Sequence, residues 1–295
     1  MGAEVTSSTD AQRDPTAVPA TTPTIPLLPD DPAALSPSEA RSLFAAGLRV
    51  PTPGWCTGFA QANIVAVPQA LAFDMMLFAQ RNPKPCPVLD VLDAGEVRGG
   101  VLGGTDLASH ADIRTDLPLY RVYKHGELVA EVSDAREHWL DDLVTFIVGC
   151  SLTFDHPLLE AGVPVRHLTA GRTAPMYVTT TRCWAAGRLS GPLVVSMRAI
   201  PSALVADAVR VTSRYPSVHG VPCHIGDPSA LGIADLAAPD FGDPPVIEEG
   251  DVPVFWASGV TAQALVMESR PALAITNAPG HLLVTDARDC AYAVP

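Results

Sequence analysis

The stretch GPLVVSMRAIPSALVADAVRVTSR, residues 191–214, decides the fold class. Within it, LVVSM (193–197) is apolar except for Ser196, the pattern of a strand covered on both faces. From about Ser202 to Arg214 the apolar positions recur at helical spacing. A buried strand feeding a helix is the repeating unit of an α/β fold.

Moving outward, the same alternation returns. Val252 to Ala257 reads as a buried strand, Ala262 to Met267 as an apolar helix, Leu273 to Thr276 and His281 to Thr285 as further strands. Upstream, Ala70 to Gln80 is helix-like and Val88 to Leu92 strand-like. This rhythm predicts a mostly parallel sheet covered by helices. It breaks between Leu117 and Ser190. There Tyr120–Tyr123 and Glu127–Val132 flank Lys124-His125-Gly126 as a hairpin. Ser133 is placed to cap a helix from about Ala135 to Val148, and Pro157–Ala161 predicts another, stopped by Gly162. Residues 117–190 are therefore expected to form a smaller α+β domain inserted into a main α/β domain made of 32–116 and 191–295. A helix is also expected from Pro228 to Leu236. Ser36-Pro37-Ser38-Glu39 is a capping box opening a helix to about Ala46, with Gly47 as its stop. Residues 1–31, rich in Thr, Ser, Pro, Asp and Ala, are expected to be a disordered tail.

Bulk composition narrows the function. The chain has 295 residues and is 47 % hydrophobic, enough for a large core. Its net charge of −13 argues against nucleic-acid binding, which needs clustered Lys and Arg. It leaves room for an anionic substrate, which needs only one or two placed cations. No apolar run spans a bilayer and no secretory leader is visible. Cys56, Cys86, Cys150, Cys183, Cys223 and Cys290 form no CxxC pair. A soluble cytoplasmic protein with reduced thiols is expected, without membrane or nucleic-acid partners and in the form of a monomer or symmetric homodimer.

Candidate chemistry sits in proline- and glycine-rich loops. Arg81-Asn82-Pro83-Lys84-Pro85-Cys86-Pro87 holds two cations and a thiol on a backbone stiffened by alternate prolines. It reads either as a carboxylate clamp with a nucleophilic Cys86 or as a turn with solvated charges. Arg114 is a substrate-carboxylate anchor or the ion-pair partner of Asp116. The nearby glycine-rich stretch 99–104 matches no nucleotide fingerprint. Arg198 ends an apolar strand, where open α/β sheets gather ligand-binding groups. The loop from His219 to Pro228 supplies His219, His224 and Asp227 as acid/base candidates, with helix capping as the other reading of Asp227. His219, Cys223 and His224 match no zinc spacing, so no metal is predicted, and no cofactor either. His281 is a third acid/base candidate, and Ser258 stands at a strand-to-helix junction whose amides suit an anion.

Several stretches together resemble a known family. They are QANIV (61–65), FAQRNPKPCPVLDV (78–91), RTDLPLYRVYKHGEL (114–128), DDLVTFIVGCSLTFDHPLLEAGVPVRH (141–167), PMYVTT (175–180), GPLVVSMRAIP (191–201), TSRYPSVHGVPCHIGDPSALGI (212–233), PDFGD (239–243), PVFWASGVT (253–261) and NAPGH (277–281). The chain from about Pro51 onward resembles the YcsI-like family of hydro-lyases, which is grouped with D-glutamate cyclase. That resemblance implies a three-layer α/β domain with a smaller α+β domain, and removal of water from a small amino or hydroxy acid. Its two forms are elimination of water and closure of an amine on a carboxyl to give 5-oxoproline. A non-catalytic binding protein on the same fold is the third reading. Ser258 departs from the family pattern, which has cysteine there.

Overall fold

The computed structural model describes residues 26–98, 101–102, 105–108 and 110–295. The expected tail therefore lies outside the described residues as far as residue 25, and so does most of the glycine-rich stretch 99–104. Asp31 already caps a turn, accepting from the amides of Ala33 and Ala34 at 3.2 and 3.3 Å.

The chain forms α1 (Pro37–Ala45), β1 (Phe59–Pro68), α2 (Gln69–Arg81), β2 (Val88–Leu92), β3 (Val101–Leu102), β4 (Thr105–Asp106), β5 (Tyr120–Lys124), β6 (Glu127–Val132) and β7 (Leu143–Gly149). It continues through α3 (Asp155–Glu160), α4 (Arg166–Thr169), β8 (Met176–Arg182), β9 (Pro192–Pro201), α5 (Val205–Ser213), β10 (His224–Ile225) and β11 (Asp251–Ala257). It closes with α6 (Thr261–Ser269), β12 (Ala274–Asn277) and β13 (Leu283–Arg288).

Helices and sheets are mixed as the α/β reading requires, but the sheets differ from expectation. One has the order β2-β7-β1-β12-β5-β6, with β13 beside the first half of β1. The other has the order β10-β11-β9-β8. Every strand pairing among the described residues is antiparallel. The expected parallel sheet is thus corrected. A continuous apolar run reports that both faces of a strand are covered; it carries no information on direction. In β9, direction is set by the short return from β8, which makes a hairpin.

Nor is 117–190 set apart as an inserted domain. Its β5, β6 and β7 pair into the sheet of β1 and β12, while its β8 joins the sheet of β9. The expected helix at Ala135–Val148 is replaced by a 3-10 turn at Arg136–His138 and the strand β7. LVTFIVG is rich in β-branched residues, all buried against β1. The helix expected from Pro228 is one 3-10 turn, stopped by Gly232 at φ +78°. The capping box at Ser36 and Glu39 forms as read, and Arg41 ties α1 to β13 through Asp286 at 3.0 Å and the Val284 carbonyl at 2.9 Å.

Two cores result. Val65, Phe146 and Val148 of the first sheet pack under Met75 and Phe78 of α2 and Leu265 of α6. On the opposite face Ala62 and Ile147 meet Ile200, Val254 and Trp256 of the second sheet, together with Phe154. The sheets thus face each other across the turn Ser151–Phe154 that follows β7. Trp256 is fully buried there, and truncating such a residue to alanine costs about 3–5 kcal/mol. Among the described residues, no helix is long and apolar enough to cross a membrane.

Candidate functional site

Two of the predicted loops do meet. Lys84 Nζ donates to the His219 carbonyl at 3.1 Å and to the Val221 carbonyl. In return, His219 Nδ1 donates to the Lys84 carbonyl at 2.8 Å, which fixes the proton on Nδ1. His219 takes a left-handed backbone, φ +87°, to make this clasp. Its ring is 1 % exposed, and burial holds its pKa down at about 4. Burial also lowers the pKa of Lys84. Lys84 directs its ammonium to backbone carbonyls, while His219 Nε2 is buried with no hydrogen-bond partner among the described residues. The neighbouring thiol of Cys86 is 1 % exposed and burial pushes its pKa up, so it is no ready nucleophile.

The other predicted residues scatter. Arg81 donates to the Ala185 carbonyl. His224 stacks on Phe255 at 5.8 Å and donates to the Asp227 carbonyl at 2.7 Å. Asp227 caps its 3-10 turn, accepting from Ser229 N and Oγ at 2.9 and 2.6 Å, and those bonds lower its pKa. Arg114 pairs with Asp112 at 2.7 Å and not with Asp116, which accepts from the Asp112 amide at 3.1 Å. His281 Nδ1 donates to the Pro279 carbonyl at 2.9 Å, and burial lowers its pKa. Among the described residues, no group of three His, Cys, Asp or Glu side chains is placed to hold a metal ion.

Ser258 falls elsewhere, on a small chamber between the two sheets, and Arg198 lies behind that chamber. Asn63, Cys150, Ser151, Ser196 and Ser258 line it, with Gly280 closing one side. Arg198 is not part of this lining but lies directly behind Ser151 and Ser196, at 2 % exposure. Ser196 and Arg198 share one face of β9 by the two-residue period of a strand. The guanidinium donates to Ser196 Oγ at 3.2 Å, to Ser151 Oγ at 3.3 Å and to Asp155 Oδ1 at 2.7 Å. It lies 4.9 Å from the Phe154 ring and 5.2 Å from that of Trp256. His167 Nε2 stands 3.3 Å from the other oxygen of Asp155, which is itself 2 % exposed. A buried row of His167, Asp155 and Arg198 therefore backs the chamber.

This row dictates what the hydroxyls can do. Ser151 and Ser196 accept from Arg198, so their own protons are free to point elsewhere. Their oxygens are 3.3 Å apart, and a single proton satisfies that contact. At least one hydroxyl donor is left for the chamber. Asn63 is held beside it by Asn277 Nδ2, which donates to Asn63 Oδ1 at 3.2 Å. Gly259 makes this placement possible, since a Cβ there would stand 2.1 Å from Asn63 Nδ2. Burial raises the Cys150 thiol to about 11, so it is a neutral group at physiological pH. Neutral donors backed by a buried cation suit a carboxylate or a developing oxyanion.

Asn63, Ser151, Ser196, Asp155 and His167 were not read as site residues from the sequence. Two signals point to three of them, Ser151, Ser196 and Asp155. Ser196 and Arg198 are two polar groups on one face of an otherwise apolar strand. GCSLTFDH, 149–156, packs four polar side chains directly behind a buried strand.

Comparison with known proteins gives a consistent picture. A family model described as D-glutamate cyclase matches residues 144–286, which include every chamber residue named above except Asn63. A protein of Corynebacterium glutamicum (strain R) named "Putative hydro-lyase" is 63% identical over 261 residues, 88% of this chain and 98% of the relative. Proteins of the same name from Mycolicibacterium gilvum and a Nocardioides species are 61% and 59% identical, over 89% and 90% of this chain and 98% and 96% of theirs.

Proposed function

The chain belongs to the YcsI-like family of hydro-lyases, and on that footing we propose that it removes one water from a small carboxylate-bearing metabolite held at the Arg198 chamber. The observation that carries this reading is the set of neutral donors, Ser151, Ser196 and Asn63, gathered over a buried guanidinium. Such donors stabilise negative charge building on a carboxyl oxygen and need no reorganisation when it appears.

The same wall favours one form of water loss. Elimination across a carbon–carbon bond needs a strong base beside a carbon-bound proton. Serine, threonine, asparagine and a neutral thiol line the chamber, along with apolar groups such as Met176 and Leu282. Lactam formation fits these donors better. In D-glutamate the amine nitrogen attacks the distal carboxyl carbon, a C–N bond forms, and a carboxyl oxygen leaves as water with two protons from the ammonium group. The product is 5-oxoproline, and no redox cofactor or metal is called for. The protein's task is to fold the substrate back on itself and hold the oxyanion. His281, next to Gly280 of the chamber wall, remains the proposed proton acceptor. The reading takes a small anionic amino acid as partner and sets the enzyme in the cytoplasm.

Incubation with D-glutamate tests it. Primary amine should disappear as one water is lost, and the Ser151→Ala/Ser196→Ala double variant should slow this about a hundredfold. Retention of the amine in the dehydrated product would exclude lactam formation. A double variant with full rate would remove the chamber from the chemistry.

A further inference from the structure

The chamber is too small for a whole metabolite. The volume open to the centre of a water molecule is about 20 Å³, enough for about one water. On the other side of the turn Ser151–Phe154 lies a cleft about ten times larger, about 220 Å³ by the same measure. Leu152 lines both spaces. It is only half-buried, on a one-turn 3-10 segment with Ser151 toward the chamber and Thr153 toward the cleft.

The cleft is built for a polar, charged ligand with a short carbon chain. Trp55, Phe59 and Leu152 give it apolar walls. At its lip the Arg288 guanidinium lies 4.0 Å from the Phe59 ring centroid. The same head reaches Gly58, where an added Cβ would stand 3.5 Å from Arg288 Nη1. Arg288 is exposed and takes part in no ion pair among the described residues. Across the cleft His156 Nδ1 sits 3.1 Å from Asp289 Oδ2. Asp155 joins the two spaces, because it lines the cleft and also binds Arg198 under the chamber.

We propose that this cleft is the vestibule that holds the non-reacting carboxylate end of the substrate, with Arg288 as its anchor and Leu152 as the residue that admits only the reacting end to the chamber. This rests on the chamber's being the reacting site. A carboxylate on Arg288 points the rest of a short chain along the apolar walls toward Leu152. The size of residue 152 then limits what passes. Leu152 is a specificity-determining residue on this account, and Arg288 a binding residue outside the reacting centre.

The test needs no turnover, so it stands even if D-glutamate proves not to be the substrate. Glutarate, a dicarboxylate without an amine, serves as the probe. It should change the protein's tryptophan fluorescence in a saturable way, and the change should vanish in Trp55→Phe. Arg288→Ala should weaken glutarate about tenfold, as for loss of a charged hydrogen-bonding partner. Access to the chamber is read from Cys150, by mass spectrometry of the protein treated with methyl methanethiosulfonate. Leu152→Ala should speed that modification about tenfold, and glutarate should slow it in the wild-type protein. The proposal is overturned if glutarate leaves the fluorescence unchanged or if Arg288→Ala binds it as well as wild type. It is equally overturned if Cys150 reacts at the same rate whatever occupies position 152. Arg288 is on the surface, so its variant folds even if a Leu152 variant does not.

Discussion

Lys84 and Arg198 are both cations drawn into the body of the protein beside histidines, and they do opposite things. Lys84 spends its protons on two carbonyls of a neighbouring loop, and His219 answers with a bond to the Lys84 carbonyl. Every partner there is backbone, and no carboxylate balances the charge. The result is a clasp between two loops. Arg198 donates to two serine hydroxyls and a buried carboxylate. Apart from the Ser151 carbonyl, which also accepts from it at 3.2 Å, its partners are side chains, and two of them carry hydroxyl protons of their own beside a cavity. A cation satisfied by carbonyls ends a network, whereas one satisfied by hydroxyls passes its polarity on. The difference is why the Arg198 region is the site proposed, although the Lys84 loop is the more conspicuous in sequence.

The largest break expected in this comparison is Arg198→Met. It leaves Asp155 buried without its partner, and removing one member of a buried pair costs about 3–5 kcal/mol. Thermal unfolding measures that loss, and water-loss activity should fall below detection. Arg198→Met with wild-type activity would move the site elsewhere. Next is the pH dependence of the clasp. Folded His219 has a pKa of about 4 against the ordinary histidine value of 6.5, so the unfolded chain binds its proton first as pH falls. Its contribution is whole above pH ~6.5, declines on acidification, and levels off below pH ~4, for a total on the order of 3 kcal/mol. Denaturant titrations at several pH values should show that slope, and His219→Gln should flatten it. The smallest effects belong to Arg81→Ala and His224→Ala. Each loses a surface hydrogen bond to a carbonyl, so stability should stay within about 0.5 kcal/mol and activity near wild type. A marked fall in turnover for either variant would restore the loop residues to the site.

By itself the sequence determined what depends on near neighbours along the chain. Ser36 and Glu39 specify a capping box because both partners lie within one helical turn. The apolar runs of β9 and β11 announce strands buried on both faces, and the family follows from stretches such as RNPKPCP and HIGDP. Arg198 and Ser258 were legible as candidates because a polar residue closing an apolar strand is costly to bury without a task or a partner. Strand direction was decided only by tertiary structure, since alternation and burial are the same for parallel and antiparallel neighbours. So was the fate of LVTFIVG, where burial against β1 outweighs the helix start suggested by Ser133. The pairing of Arg198 with Asp155 across 43 residues, and of Lys84 with the His219 carbonyl across 135, was likewise invisible along the chain. Whether a buried cation becomes a clasp or backs a chamber depends on whether its far partners include hydroxyls that line a cavity, and only the packing of the two sheets brings those partners within reach.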